Sequence, residues 1–353
     1  RIDGRLKAEA LLESFGRRGL AASVLLRGIG GFGHDHHLRT DRTLTLSEDL
    51  PVTAIALDRR DRIEAALDEV TELRPRGLVT VQAARLAAGS PAPAGGPAPP
   101  GAPEPDDGPT GEGAGPGDEA RLTLCLGRKD RVGRRPAHLA VCDLLRAHGV
   151  AGVTALLGVD GTREGARERA RFFDRNADVP VMLVAVGTAA SLEAALAEIG
   201  RLVDRPLATV RPVRIRKRDG VALPGPAEAA ARLPPPGPGR EAWHRLTVYT
   251  SEAAAHEGQP IHRQIIRRLR ESGAGGATAL RGFWGYHGDH RPHGDRPLQL
   301  RRHVPVVTTV VDRPDRVAAA YPVIDELTQE TGLVTLEAVE PVAAAPPPGQ
   351  SEP

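Results

Sequence analysis

The chain repeats itself, and that repetition limits the folds open to it more than any other feature. "GLAASVLLRGIGGFG" from Gly19 aligns with "GVAGVTALLGVDGTR" from Gly149 and "GAGGATALRGFWGYH" from Gly273. "LPVTAIALD" from Leu50, "VPVMLVAVG" from Val179 and "VPVVTTVVD" from Val304 form a second set of anchors. "GLVTVQ" from Gly77, "PLATVR" from Pro206 and "GLVTLE" from Gly332 form a third. Corresponding anchors lie about 130 residues apart between the first and second blocks and about 125 between the second and third, a constancy that marks three copies of one supersecondary unit.

Within a unit the order of elements is legible. "RLTLCLG" at Arg121 and "RLTVYTS" at Arg245 are β-rich runs that open blocks two and three. A helix follows, with Leu6, Ala10, Leu11 and Phe15 in block one, or Ile261, Ile265, Ile266 and Leu269 in block three, on one apolar stripe. Next come a strand ending in a Gly-x-x-Gly turn, a polar loop, and a strand opened by Pro51, Pro180 or Pro305, where proline is tolerated. A second helix carries Ile63, Ala66, Leu67 and Val70 or their counterparts, and a short strand closes the unit. The order is β-α-β-β-α-β, the ferredoxin-like split motif, in an α+β chain. Arg1 aligns beyond the first strand of the other blocks, so the first copy is expected to lack its first strand and to continue upstream in the functional protein.

Two Pro/Gly-rich stretches hold too few large apolar side chains to offset the entropy of ordering them. They divide the chain into a first domain at residues 1–86, a linker at 87–119, a second domain at 120–217, a linker at 218–242, a third domain at 243–340 and a tail at 341–353. A net charge of +2 supplies no single-sign field for nucleic acid. Two cysteines build no disulfide framework, and no signal peptide or long apolar span is visible, so a soluble cytoplasmic protein is expected.

Gly28-x-Gly30-x-x-Gly33 matches a dinucleotide fingerprint in spacing, but a polar loop follows where that fingerprint needs a helix N-terminus. What recurs is Gly28 and Gly31, Gly158 and Gly161, Gly282 and Gly285, where a missing Cβ permits either a turn or close approach to a ligand. His34, His36 and His37 in one loop and His287, His290 and His293 in the corresponding loop of block three are candidate ligands for a divalent metal, against the alternative of a solvated loop. The middle loop, "TREGARERARFFDRNAD", has no histidine and reads as charged and helix-like. No nucleophile with a neighbouring base recurs, and Cys142 falls on an apolar helix face, so no enzymatic activity is expected.

The patterns LxLxxGxxDRxxGRP (approached by "LTLCLGRKDRVGRRP" from Leu122, with Gly133 one place early), GxAGATxLRGxxGFG, "LSEDLPV" from Leu46 and GLVTxExV ("GLVTLEAV" from Gly332) resemble the domain-of-unknown-function-190 family, a branch of the PII-like signal-transduction superfamily. The resemblance covers all three blocks and implies ferredoxin-like units that assemble as trimers, here as a pseudo-trimer within one chain. It further implies small-molecule sites in clefts between units and loops, at residues 32–49, 162–178 and 286–303, that contact a partner such as a membrane transporter. Arg27 with Gly28 and Gly31, Gly158 with Gly161, and Arg281 with Gly282 and Gly285 would line those clefts, where a guanidinium could meet a phosphate. The implied ligand is a nucleotide, an adenine nucleotide foremost, or another small anion, although the glycine- and lysine-bearing loop of PII proteins proper has no counterpart in "RPRGLVT" or "QETGLVT". Three readings therefore stand side by side: an anion-sensing regulator, a metal-binding trimer and a partner-docking scaffold.

Overall fold

A computed structural model of the chain describes residues 7–33, 35–40, 50–73, 77–87, 118–163, 166–169, 179–204, 206–223, 233, 241–288, 293–294 and 304–343. Unit one contains α1 (Lys7–Arg17), β1 (Ala22–Phe32), β2 (Val52–Leu57), α2 (Arg60–Glu72), β3 (Val79–Val81) and β4 (Arg85–Leu86). Unit two contains β5 (Glu119–Gly127), α3 (Ala137–Ala147), β6 (Gly152–Leu157), β7 (Asp160–Arg163), β8 (Ala166–Arg169), β9 (Pro180–Thr188), α4 (Ala189–Leu202), β10 (Leu207–Pro212), β11 (Arg214–Arg218) and β12 (Val221–Ala222). Unit three contains β13 (Trp243–Ser251), α5 (Ile261–Glu271), β14 (Ala277–Arg281), β15 (Trp284–His287), β16 (Pro305–Asp312), α6 (Pro314–Leu327) and β17 (Leu333–Ala343). The fold is mixed α+β with antiparallel sheets.

Unit two lays its strands in the order β6-β9-β5-β10, and unit three repeats this as β14-β16-β13-β17. The run "VPVMLVAVG" lacks the alternation of a half-exposed strand because both faces of β9 are covered. Val181, Leu183 and Ala185 pack with Leu145 of α3 and Leu192 and Ile199 of α4. Met182, Val184 and Val186 face the other way, into a core shared with Val24 and Leu26 of unit one and Tyr249, Leu280 and Val307 of unit three. Each such side chain, fully buried, contributes roughly 1.5–3 kcal/mol, so the shared core is a major part of what holds the units together.

Unit one differs. Its β2 pairs with β1, and among the described residues no strand lies along the other edge of β2, where β5 and β13 lie in the other units. Val52–Leu57 is correspondingly half-exposed rather than buried.

Strand exchange joins the units in a cycle. The tail of unit one, β4, pairs with the last strand of unit two, β10. The tail of unit two, β11, pairs with the last strand of unit three, β17. The far end of β17 pairs in turn with β3 of unit one. A second cycle runs in the opposite sense: β7 of unit two pairs with Ala22–Leu25 of unit one, β15 of unit three with β6 of unit two, and Gly28–Phe32 of unit one with β14 of unit three.

Three expectations change at this level. The Gly-x-x-Gly segment ends its strand in units two and three, where β6 stops at Leu157 and β14 at Arg281, but in unit one Ala22–Phe32 is continuous through it, with a register shift between Gly28 and Gly30. The start of the middle loop is a hairpin, β7 with β8, not a helix, because the strand-to-strand pairing with unit one and an Arg167–Asp160 ion pair at 2.7 Å outweigh its local helix propensity. Residues 218–222, read as the start of a linker, form a hairpin whose Asp219 and Gly220 have φ of 47° and 82°, as a two-residue type I′ connection requires.

Candidate functional site

The three Gly-x-x-Gly segments sit where neighbouring units meet. In each, the first glycine N–H donates to the carbonyl of the proline that opens the third strand: Gly28 to Pro51 at 2.7 Å, Gly158 to Pro180 at 2.8 Å and Gly282 to Pro305 at 2.8 Å. A Cβ on that glycine would stand 2.7 to 2.8 Å from the same proline ring. The second glycine lies against the neighbouring unit. A Cβ on Gly31 would be 2.5 Å from Ala277 O, on Gly161 2.3 Å from Ser23 O and on Gly285 2.2 Å from Val153 O. The glycines thus have a structural reason to recur: they let a strand cross from its own sheet onto the next.

In units one and three, residues between the glycines pack on the core of the neighbouring unit. Ile29 packs with the core of unit three, and Phe283 and Trp284 with that of unit two. Phe283 stands edge-on to His138 of α3, ring centroids 5.0 Å apart. Burial, reinforced by Arg128 and Arg131, lowers the His138 pKa to about 4, so the imidazole is neutral at physiological pH. Its buried Nδ1 has no hydrogen-bond partner among the described residues. The boundary between units two and three therefore presents a neutral imidazole and an aromatic ring beside two guanidiniums, a set suited to an anion carrying a planar group.

His138 was not singled out from sequence, yet a signal existed. Pro136-Ala137-His138 and Pro260-Ile261-His262 match at the start of α3 and α5, while block one has Ala8 at that place. His262 is buried.

The predicted arginines divide in behaviour. Arg27 is exposed at the base of the unit-one crossing. Arg281 is half-buried and donates to Glu252 Oε1 at 2.5 Å. Unit two has Leu157 at that position and uses its charges elsewhere: Arg163 pairs with Asp130 at 3.0 Å, and Asp130 accepts from the Gly127 N–H at 2.8 Å.

The histidines of the metal reading that the structure describes make separate contacts. His36 stacks on Phe32 at 5.8 Å, the His37 N–H donates to Asp35 Oδ1 at 3.3 Å, and His287 Nδ1 lies 4.0 Å from Asp219 Oδ1. His34 and His290 lie outside the described residues, as does the side chain of His293. Among the described residues no group of three potential metal ligands comes together.

Both thiols are buried, and burial with neighbouring Asp143 pushes Cys142 well above the ordinary range. Neither cysteine is expected to react with a thiol-specific reagent until denaturant is added; stoichiometric labelling of the native chain would contradict the packing described. Among the described residues no helix is long and apolar enough to cross a membrane.

Comparison with known proteins agrees with this threefold division. The DUF190 family, described as "Uncharacterized ACR", matches residues 1–86, 119–215 and 243–341. A UPF0166 protein of Aquifex aeolicus (strain VF5) is 32% identical over 96 residues, which cover 27% of this chain and 89% of that relative. One relative of that size thus corresponds to a single unit, and three family matches in succession, each coinciding with one α+β unit, establish that the chain belongs to the DUF190 family.

Proposed function

We propose that the chain is a non-enzymatic, PII-like regulatory protein in which three ferredoxin-like units form an intramolecular pseudo-trimer. It binds a nucleotide or other small anion in clefts between units and acts through its loops on a partner. The observation that carries this reading is the reciprocal strand exchange. It brings every Gly-x-x-Gly crossing to a boundary between two units. A ligand bound at such a boundary touches two units at once, so its occupancy can bias how the loops are held. The strand order of units two and three is the one a ferredoxin-like unit requires. The setting proposed is the cytoplasm, and the partner a protein such as a membrane transporter.

Arg27, Arg281, Arg128 and Arg131 supply the positive charge for a phosphate, and Phe283 with His138 an apolar surface for a base. A thermal-shift panel of the full chain with AMP, ADP, ATP, cyclic AMP, bicarbonate and divalent metals tests the reading. A ligand at about a hundred times its dissociation constant adds roughly 2.7 kcal/mol to the native state. A nucleotide response that disappears in Arg27→Ala with Arg281→Ala, or in Arg128→Ala with Arg131→Ala, supports the sensor. A response to metals alone moves the site to the histidine loops. No response to any of them leaves a docking scaffold.

A further inference from the structure

At one matching position in or just beyond its last strand each unit carries a different side chain: Gln82 in unit one, Arg211 in unit two and Glu337 in unit three. The first strands of units two and three carry Arg121 and Arg245 at one matching position. The cyclic pairing gathers all five where the three units meet. Glu337 is wholly buried, and its Oε2 accepts from Arg121 Nη1 at 2.9 Å. Arg245 Nη1 approaches that oxygen at 3.7 Å, and Arg211 Nε approaches Oε1 at 3.8 Å. From unit one, Gln82 Oε1 accepts from Arg245 Nη1 at 2.8 Å, and Thr80 Oγ1 from Arg245 Nη2 at 3.3 Å.

The cluster is short of negative charge. Among the described residues three guanidiniums face one carboxylate, and the other neighbours, Gln82, Thr80, Tyr249 and Thr335, carry no charge at neutral pH. It is also short of hydrogen bonds: the Nε of Arg121, the Nε of Arg211 and Oε1 of Glu337 are buried with no hydrogen-bond partner among the described residues, the last two facing each other at 3.8 Å, beyond hydrogen-bond reach. Arg211 itself is only 8% exposed. Uncompensated charge and unpaired polar atoms at such depth are costly. Burial pulls Arg211 down to about 9 and Arg245 to about 10, a measure of how poorly the one carboxylate offsets them.

The unpartnered set contains donors and an acceptor together. A fully deprotonated anion satisfies the two Nε–H groups but meets Glu337 Oε1 with repulsion. An oxyanion that retains a proton near neutral pH accepts from both guanidiniums and donates its hydroxyl to that oxygen. We propose that this cluster is a binding site for one small protonated oxyanion, of the hydrogenphosphate class, which ties the three units together. The site is separate from the clefts of the regulatory reading and does not depend on it.

The test is thermal unfolding of the full chain in phosphate, sulfate or chloride at matched ionic strength, with isothermal titration of phosphate. The expected result is saturable binding of one phosphate per chain and a higher unfolding midpoint in phosphate than in sulfate. Arg211→Gln weakens apparent phosphate binding by about tenfold or more, whereas Arg60→Gln, at an exposed position, leaves it unchanged. Glu337→Gln, which removes the repelling charge and adds a donor, brings sulfate up to or above phosphate. If Arg211→Gln does not fold, titration of the parent chain decides: absence of saturable phosphate binding overturns the proposal. So does equal stabilisation by all three salts, or a phosphate response that Arg211→Gln leaves intact.

Discussion

Glu337→Ala is expected to cost about 3–5 kcal/mol, the largest loss from any single change outside the apolar cores. The substitution leaves the guanidiniums of Arg121, Arg211 and Arg245 without their shared carboxylate, in a place that water reaches poorly. Equilibrium urea unfolding measures it, and a change below about 1 kcal/mol would mean that the cluster is hydrated far more than its burial indicates. The same residue sets an acid limit. Burial by itself would raise the Glu337 carboxyl, but the three arginines and Gln82 more than reverse this and hold its pKa below the ordinary 4.5. Its ionised form is therefore favoured in the fold. The resulting stabilisation is fully present above the unfolded-state pKa and is lost as the pH falls through the lower folded value. A pH series should show stability falling more steeply below pH 4.5 in the parent chain than in Glu337→Gln.

Gly161→Ala should cost about 2–3 kcal/mol although it adds one methyl group. The new Cβ would stand 2.3 Å from Ser23 O, a backbone atom of another unit that cannot swing aside, so either the β7–β1 pairing opens or the units shift. Gly33→Ala is the control, since its Cβ would meet nothing within 4 Å, and its effect should lie within about 0.5 kcal/mol. Equal losses for the two variants would show that the glycines serve only a local turn.

That contrast also shows what could be read without the structure. Spacing alone favoured Gly28, Gly30 and Gly33 as a set, and internal repetition corrected it to Gly28 and Gly31 with their counterparts. Repetition could not supply the reason, because the backbone oxygens that stand closest to a side chain at Gly31, Gly161 and Gly285 belong to strands of another unit, more than a hundred residues away. The Asp219-Gly220 hairpin was legible as a turn dipeptide but lay in a stretch whose composition reads as linker. His138 and His262 were legible as a matching pair once the blocks were aligned. The burial that keeps His138 neutral was not, since it depends on Phe283 arriving from the next unit.

The sequence by itself determined the number of units, the order of elements in each and the positions of the helix faces. Those follow from periodicity and turn chemistry within a window of some ten to twenty residues. Only the tertiary structure decided that the units exchange strands in a cycle, that β9 is covered on both faces, and that Gln82, Thr80, Arg121, Arg211, Arg245 and Glu337 share one site. A single residue shows the difference. Glu337 reads locally as one more polar side chain in a strand, and its meaning comes from three guanidiniums, two of them carried by another unit and brought to it by pairings that no local pattern encodes.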